Sequence, residues 1–142
     1  METKDLIDDF KKKLEKEQSP KDRKIALIID DSEINREILS FYLEELEFET
    51  YFANNGQKGL DVFEETRPNI VFLDIVMPKL SGLDVLKEIK SIDPATVVIM
   101  VSSYVSKHNI QKAKELKANW FLMKPFTKEK LVEVTERFKD KI

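Results

Sequence analysis

The chain contains no cysteine, so disulfides, thiol nucleophiles and Cys-based metal sites are excluded. Its single histidine, His108, has no companion for a metal site and reads as a surface helix residue. Glycine is scarce, three in 142 residues, and no Gly-rich phosphate loop, nucleophile elbow or metalloprotease motif occurs. No apolar stretch approaches the ~20 residues needed to span a bilayer, and the charged start Met1-Glu2-Thr3-Lys4-Asp5 lacks the apolar core of a signal peptide. The cytoplasm is therefore the expected compartment. A net charge of −3 is too small to drive non-specific attraction to nucleic acid or anionic membranes, and the Lys11-Lys12-Lys13 run is balanced by nearby acids. The length suits one domain of ordinary size, burying roughly two-thirds of the surface its unfolded chain exposes.

What the chain does have is a set of apolar runs that stop abruptly at polar residues. Ile25–Ile29 ends in Asp30 and Asp31, Ile70–Leu73 in Asp74, Thr96–Val101 in Ser102, and Trp120–Met123 in Lys124 and Pro125. Strands are expected at 25–30, 48–53, 69–74, 96–101 and 119–123. Helical periodicity fills the intervals: Ile34, Ile38, Phe41 and Leu46; Leu60 and Phe63; Leu83, Leu86 and Ile89, with Ser81 as a helix cap; Ile110, Ala113 and Leu116; and Leu131, Val134 and Phe138. Alternating strand and helix argue for a doubly wound α/β fold with a parallel sheet. The first, third and fourth strands are almost wholly apolar, as strands covered on both faces must be. In such a sheet the carboxyl ends of the strands share one edge, and ligands bind outside it. Three carboxylates, a hydroxyl and an ammonium delivered to that edge suit one divalent cation and one phosphoryl group.

Each element has a plainer reading when taken alone. Asp30-Asp31 serves as a turn or helix cap, Lys124 as a surface lysine, Ser102 as a loop hydroxyl and Phe121 as a core aromatic. Asp74 changes the balance, because a carboxylate ending an apolar strand pays for desolvation unless a cation or donors satisfy it.

The ordered set Asp30-Asp31, Asp74-Ile75-Val76-Met77-Pro78 with Gly82, Ser102-Ser103 and Lys124-Pro125-Phe126 resembles the response-regulator receiver domain of bacterial two-component systems, in its single-domain, chemotaxis-regulator-like form. The resemblance covers about residues 24–142. It implies a flavodoxin-like (βα)5 fold with strand order 2-1-3-4-5, and Asp74 as phosphoacceptor. It implies Mg2+, with Mn2+ as a substitute, on Asp31, Asp74 and the Val76 backbone carbonyl, with Asp30 acting through a metal-bound water. Lys124 and Ser102 would then contact phosphoryl oxygens, Ser102 and Phe121 would form the switch, and a cis Lys124-Pro125 peptide would aim the lysine inward. Val76 and Tyr104 would flank the approach of hydrolytic water and tune its rate. The implied partners are a histidine kinase or phosphotransfer protein, and a downstream protein at the face of the helix around Ile110, the fifth strand and the last helix. No nucleic acid or membrane partner is expected.

Some positions depart from that pattern. Ser103 replaces a common Ala, Lys117 and Trp120 stand where Gly is common, and Phe121 lacks the hydroxyl often found at its position. Trp120 reads equally as a partner anchor or as plain packing.

Residues 1–23 fall outside the repeating unit. Leu6, Ile7, Phe10 and Leu14 share one helical face, and Gln18-Ser19-Pro20 breaks the run. An extra N-terminal amphipathic helix and linker (1–23) is expected before a receiver domain (24–142), either frayed in solvent or docked on its own domain, on a second copy as a dimer, or on a partner. Because the last helix runs to the C-terminus, the expected protein is a stand-alone phosphorylated receiver that is not itself an enzyme. Its rivals are a phosphorylation-independent binding module, a magnesium-dependent hydrolase of similar fold, and a fragment of a larger regulator or hybrid kinase. Position 76, a Val, offers the hydrolase no second acid or base.

Overall fold

The computed structural model describes residues 2–18 and 23–142. Their elements run α1 (Thr3–Gln18), β1 (Ile25–Ile29), α2 (Glu33–Glu45), β2 (Glu49–Ala53), α3 (Gly56–Thr66), β3 (Ile70–Asp74), α4 (Gly82–Ile92), β4 (Val97–Ser102), α5 (Lys107–Glu115), β5 (Trp120–Met123) and α6 (Lys128–Arg137). The five strands form one parallel sheet in the order β2-β1-β3-β4-β5. The expected α/β class, strand order and extra N-terminal helix are all present. The expected break at Ser19-Pro20 lies outside the described residues.

Burial follows the hydrophobic pattern. Every residue of β3 and β4 is buried, as is β1 beyond Ile25, whereas the edge strands β2 and β5 are largely open to solvent. One face of the sheet packs Leu27, Ile29, Val71, Leu73, Val98 and Met100 against α3, α4 and α5, through Phe63, Leu86, Ile89 and Ala113 among others. The opposite face packs Ile28, Phe72, Ile99 and Val101 against Leu39 and Leu43 of α2 and Leu131 and Val134 of α6.

Side chains start the helices. Ser32, Asn55, Ser81, Ser106 and Thr127 each accept the backbone N–H three residues on, satisfying a donor that the first helical turn leaves free. Lys117 lies in the left-handed region at φ 72°. That conformation costs an L-residue roughly 1–2 kcal/mol, which accounts for the preference for Gly at this turn. In α1, by contrast, Leu6, Ile7 and Phe10 are all exposed.

Candidate phosphoacceptor and metal site

The carboxyl ends of β1, β3, β4 and β5 converge on one edge, and the strand boundaries decide how. Asp30 is the first residue beyond β1 rather than its last, Asp74 is the last of β3, and Ser102 is the last of β4 rather than the first beyond it. Lys124 immediately follows β5, and its peptide bond to Pro125 is cis.

Carboxylate oxygens of Asp30, Asp31 and Asp74 lie within 4.8 Å of one another. Asp30 and Asp74 are buried, while Asp31 faces solvent. The Lys124 ammonium enters between the two buried acids, donating to Asp30 Oδ2 at 2.7 Å and to Asp74 Oδ2 at 3.4 Å. Its closer partner is thus Asp30. The other Asp30 oxygen accepts the Ser32 amide at 2.9 Å, and Asp74 Oδ1 accepts the Val76 amide at 3.2 Å. Burial pushes the Asp74 carboxyl above the usual carboxylate range; Lys124 opposes that shift and Asp30 adds to it.

Three carboxylates outnumber the one ammonium. The donors are all oxygens, and one acid remains open to solvent. Such a set fits a hard divalent cation like Mg2+, which needs one or two carboxylates and keeps several waters.

The remaining expected residues surround this cluster at different depths. Ser102 is buried and closes its own turn: Oγ donates to the Tyr104 carbonyl at 2.8 Å and accepts the Tyr104 amide at 3.2 Å. Its carbonyl accepts the Lys124 amide at 2.9 Å, tying β4 to the lysine. Phe121 is half-buried and packs against the core formed with α3, α4 and α5. The Val76 and Tyr104 side chains are exposed. Trp120, 40% exposed, has the Arg137 guanidinium 4.1 Å over its ring and the Phe138 ring edge-on at 6.4 Å. His108 is exposed on α5.

Sequence reasoning missed Arg36. Its Nη1 donates to the Asp30 backbone carbonyl at 2.7 Å while its guanidinium lies over the Phe52 ring, 5.6 Å from the centroid. It holds the turn that carries two of the three acids. No local signal marks it, because an arginine in the first turns of an amphipathic helix is ordinary.

The match to a model described as the response regulator receiver domain runs over residues 26–136. The chain belongs to this receiver-domain family. It is 36% identical over 111 residues to chemotaxis protein CheY of Halobacterium salinarum, covering 78% of this chain and 92% of that one. Regulatory protein AtoC of Escherichia coli is 34% identical over 111 residues, but this receiver spans only 24% of its length. Among solved structures, the CheX–CheY–BeF3–Mg2+ complex from Borrelia burgdorferi superposes with a TM-score of 0.77 at 27% identity, covering 81% of this chain and 89% of that one. Receivers of this family are signalling phosphoacceptors of two-component systems, with phosphorylation and partner switching as their general function. Among the described residues, no helix is long and apolar enough to cross a membrane.

Proposed function

We propose that this receiver accepts a phosphoryl group on Asp74 from a phosphohistidine donor, and that the modification changes its affinity for a partner protein in the cytoplasm. The observation that carries this reading is the Lys124 ammonium standing between Asp30 and Asp74 at the convergence of three carboxylates. An Asp74 carboxylate oxygen attacks phosphorus, the P–N bond breaks, and the imidazole leaves with its electron pair and takes up a proton. The product is an acyl phosphate. Phosphoryl transfer asks little covalent chemistry of the protein beyond positioning the groups and balancing charge on the transferring oxygens. Lys124 meets one of those oxygens by giving up its longer bond to Asp74, and Ser102 meets another by releasing the Tyr104 carbonyl.

Asp31, Asp74 and the Val76 carbonyl would hold a Mg2+ ion, or Mn2+ in its place, with Asp30 acting on it through water. When bound, it supplies positive charge beside the phosphoryl oxygens. Movement of the β4–α5 turn toward the phosphoryl group opens space behind it for Phe121, and the face of α5, β5 and α6 around Trp120 carries the change to the partner. The test is phosphotransfer from phosphohistidine donors with Mg2+ and with a chelator. Label that is alkali-labile and Mg2+-dependent is expected. Alkali-stable label, or label that persists in chelator, overturns the assignment.

Lifetime follows from the side chains at the mouth of the site. Hydrolysis requires a water in line with the P–O bond to Asp74. Val76 has no group to orient it, and Tyr104 is bulky enough to cover the approach. The phosphorylated receiver is therefore expected to persist for many minutes rather than seconds. Phosphate loss is to be timed in wild type, Val76→Asn and Tyr104→Ala, with both variants faster. Decay of wild type within seconds, slowed in both variants, means that the Tyr104 hydroxyl positions water instead of shielding the bond.

A further inference from the structure

Of the three acids in the cluster, Asp31 is held least directly. Asp30 and Asp74 are buried, and each bonds both Lys124 and a backbone amide. The Asp31 side chain is exposed and, among the described residues, has no ion-pair partner and accepts no hydrogen bond. Its aim is therefore set by the backbone beneath it. The peptide plane joining Asp30 to Asp31 fixes the direction in which Asp31 leaves the turn, and the handle on that plane is the Asp30 carbonyl. Arg36, half-buried near the start of α2, donates to this carbonyl at 2.7 Å.

Arg36 is itself held. Its guanidinium lies over the Phe52 ring, 5.6 Å from the centroid. Phe52 is 62% exposed on edge strand β2, where it lines a groove of about 390 Å3 between β2 and α2 together with Phe41. At that exposure the ring adds little to the core, and its open face serves the guanidinium instead. Ala53, the next residue, accepts the Asp30 amide at 3.1 Å. The end of β2 thus holds Asp30 twice, directly at its amide through Ala53 and at its carbonyl through Phe52 and Arg36.

We propose that Arg36 and Phe52 form a positioning pair for the cation site: the ring holds the guanidinium, the guanidinium holds the Asp30 carbonyl, and the fixed peptide aims Asp31 at the metal. The inference rests on the reading of Asp31 as a Mg2+ ligand. It makes an edge-strand aromatic, outside the ligand set, a determinant of metal affinity. Arginine suits this place because its planar group lies flat on a ring while still aiming an N–H at an oxygen; a lysine keeps the charge but not the flat contact. The two effects of Arg36 on a cation have opposite signs. As a nearby positive charge it repels Mg2+, so removing it would tighten binding. As the support of Asp31 it assists, so removing it would weaken binding.

The experiment is a Mg2+ titration of the unphosphorylated full chain followed by amide chemical shifts, with thermal unfolding in chelator measured alongside. Arg36→Ala is expected to weaken Mg2+ about tenfold, the usual scale for losing a group that orients a metal ligand. Arg36→Lys weakens it too, despite its unchanged charge. Phe52→Leu stays apolar but loses the aromatic face, and is expected to weaken Mg2+ about threefold with little change in unfolding. Adding Phe52→Leu to Arg36→Ala brings no further loss, because the ring acts only through the guanidinium. Phe52→Leu and Arg36→Lys decide the matter even if Arg36→Ala fails to fold. Tighter binding in Arg36→Ala overturns the proposal, as does wild-type affinity in Phe52→Leu or a double variant in which the two losses add in full. A wild type that binds no Mg2+ removes the metal reading and this inference with it, whereas equal affinity in wild type and every variant removes the inference alone.

Discussion

Asp74→Asn is expected to take no phosphoryl group under conditions that label wild type, and to unfold at a higher temperature than wild type when metal is absent. The first effect is chemical. An amide is no nucleophile toward phosphorus, yet it nearly matches the carboxylate in shape, and its one carbonyl oxygen can still accept the Val76 amide in place of Oδ1, at the loss of the longer Lys124 bond to Oδ2. The second comes from the raised pKa of Asp74, caused first by burial, with Lys124 opposing and Asp30 adding. A carboxyl whose folded pKa lies above its unfolded value of 3.8 holds its proton longer in the folded state. Its contribution to stability is therefore greatest below the unfolded value and is lost as pH rises through the folded one. Asparagine never ionises, so the variant's advantage is absent in strong acid and grows with pH until Asp74 is fully charged. Each pKa unit is worth about 1.4 kcal/mol, enough to move the midpoint by a few degrees in a domain of this size. Added Mg2+ should narrow the gap, because only wild type keeps all three acids. Equal labelling of the two proteins, or a variant that melts earlier at neutral pH in chelator, sinks the account.

The other large effect is mechanical. Gly82 opens α4 so close to the end of β3 that a Cβ there would lie 2.0 Å from the Asp74 carbonyl oxygen and 2.7 Å from Ile75 Cα. The Gly82 amide already donates to the Ile75 carbonyl at 2.9 Å, holding the helix start on the strand end. Both obstructions are backbone, so no rotamer change relieves them. Gly82→Ala should cost about 3 kcal/mol or more and displace the turn that gives Asp74 its Val76 amide. Gly59→Ala is the comparison, since its added Cβ meets side-chain atoms of the buried Ile29, the nearest at 2.6 Å, rather than backbone, and should cost less. If Gly82→Ala unfolds no earlier than Gly59→Ala, the close approach does not matter as argued.

The sheet was readable because its inner strands are apolar on both faces and stop at polar residues, a pattern no amphipathic helix produces. Expected strand limits erred by one residue. Apolar patterning reports burial, whereas a strand ends where its ladder of hydrogen bonds does; Thr96 is buried but lies outside β4, and Ser102 lies inside it. The meeting of Asp30, Asp31 and Asp74 was legible for the same reason as the sheet. The preference of Lys124 for Asp30 over Asp74 was not, because it depends on ångström-scale differences between residues 94 and 50 positions apart. Arg36 was hidden for a related reason: its bond to a backbone carbonyl leaves no trace in residue type. The α2–β2 groove escaped as well. Helical spacing groups Phe41 with Ile34, Ile38 and Leu46, yet says nothing of the edge strand, where the exposed ring stands beside Phe52.

Under the proposed function, Ser102 ties the resting site to the way it is switched. Its hydroxyl is already committed to the Tyr104 carbonyl, so an anionic oxygen arriving at Asp74 must compete for it. The gain is a difference between two hydrogen bonds, with a net on the order of 1 kcal/mol in favour of the charged acceptor. A margin that small makes the β4–α5 turn a balance rather than a latch. It tips when charge arrives, returns when charge leaves, and visits the tipped position often enough for a partner that binds only that form to draw it out. Under the proposed function, activation is then graded jointly by phosphate and partner, and each shifts the equilibrium constant of the other by the same factor.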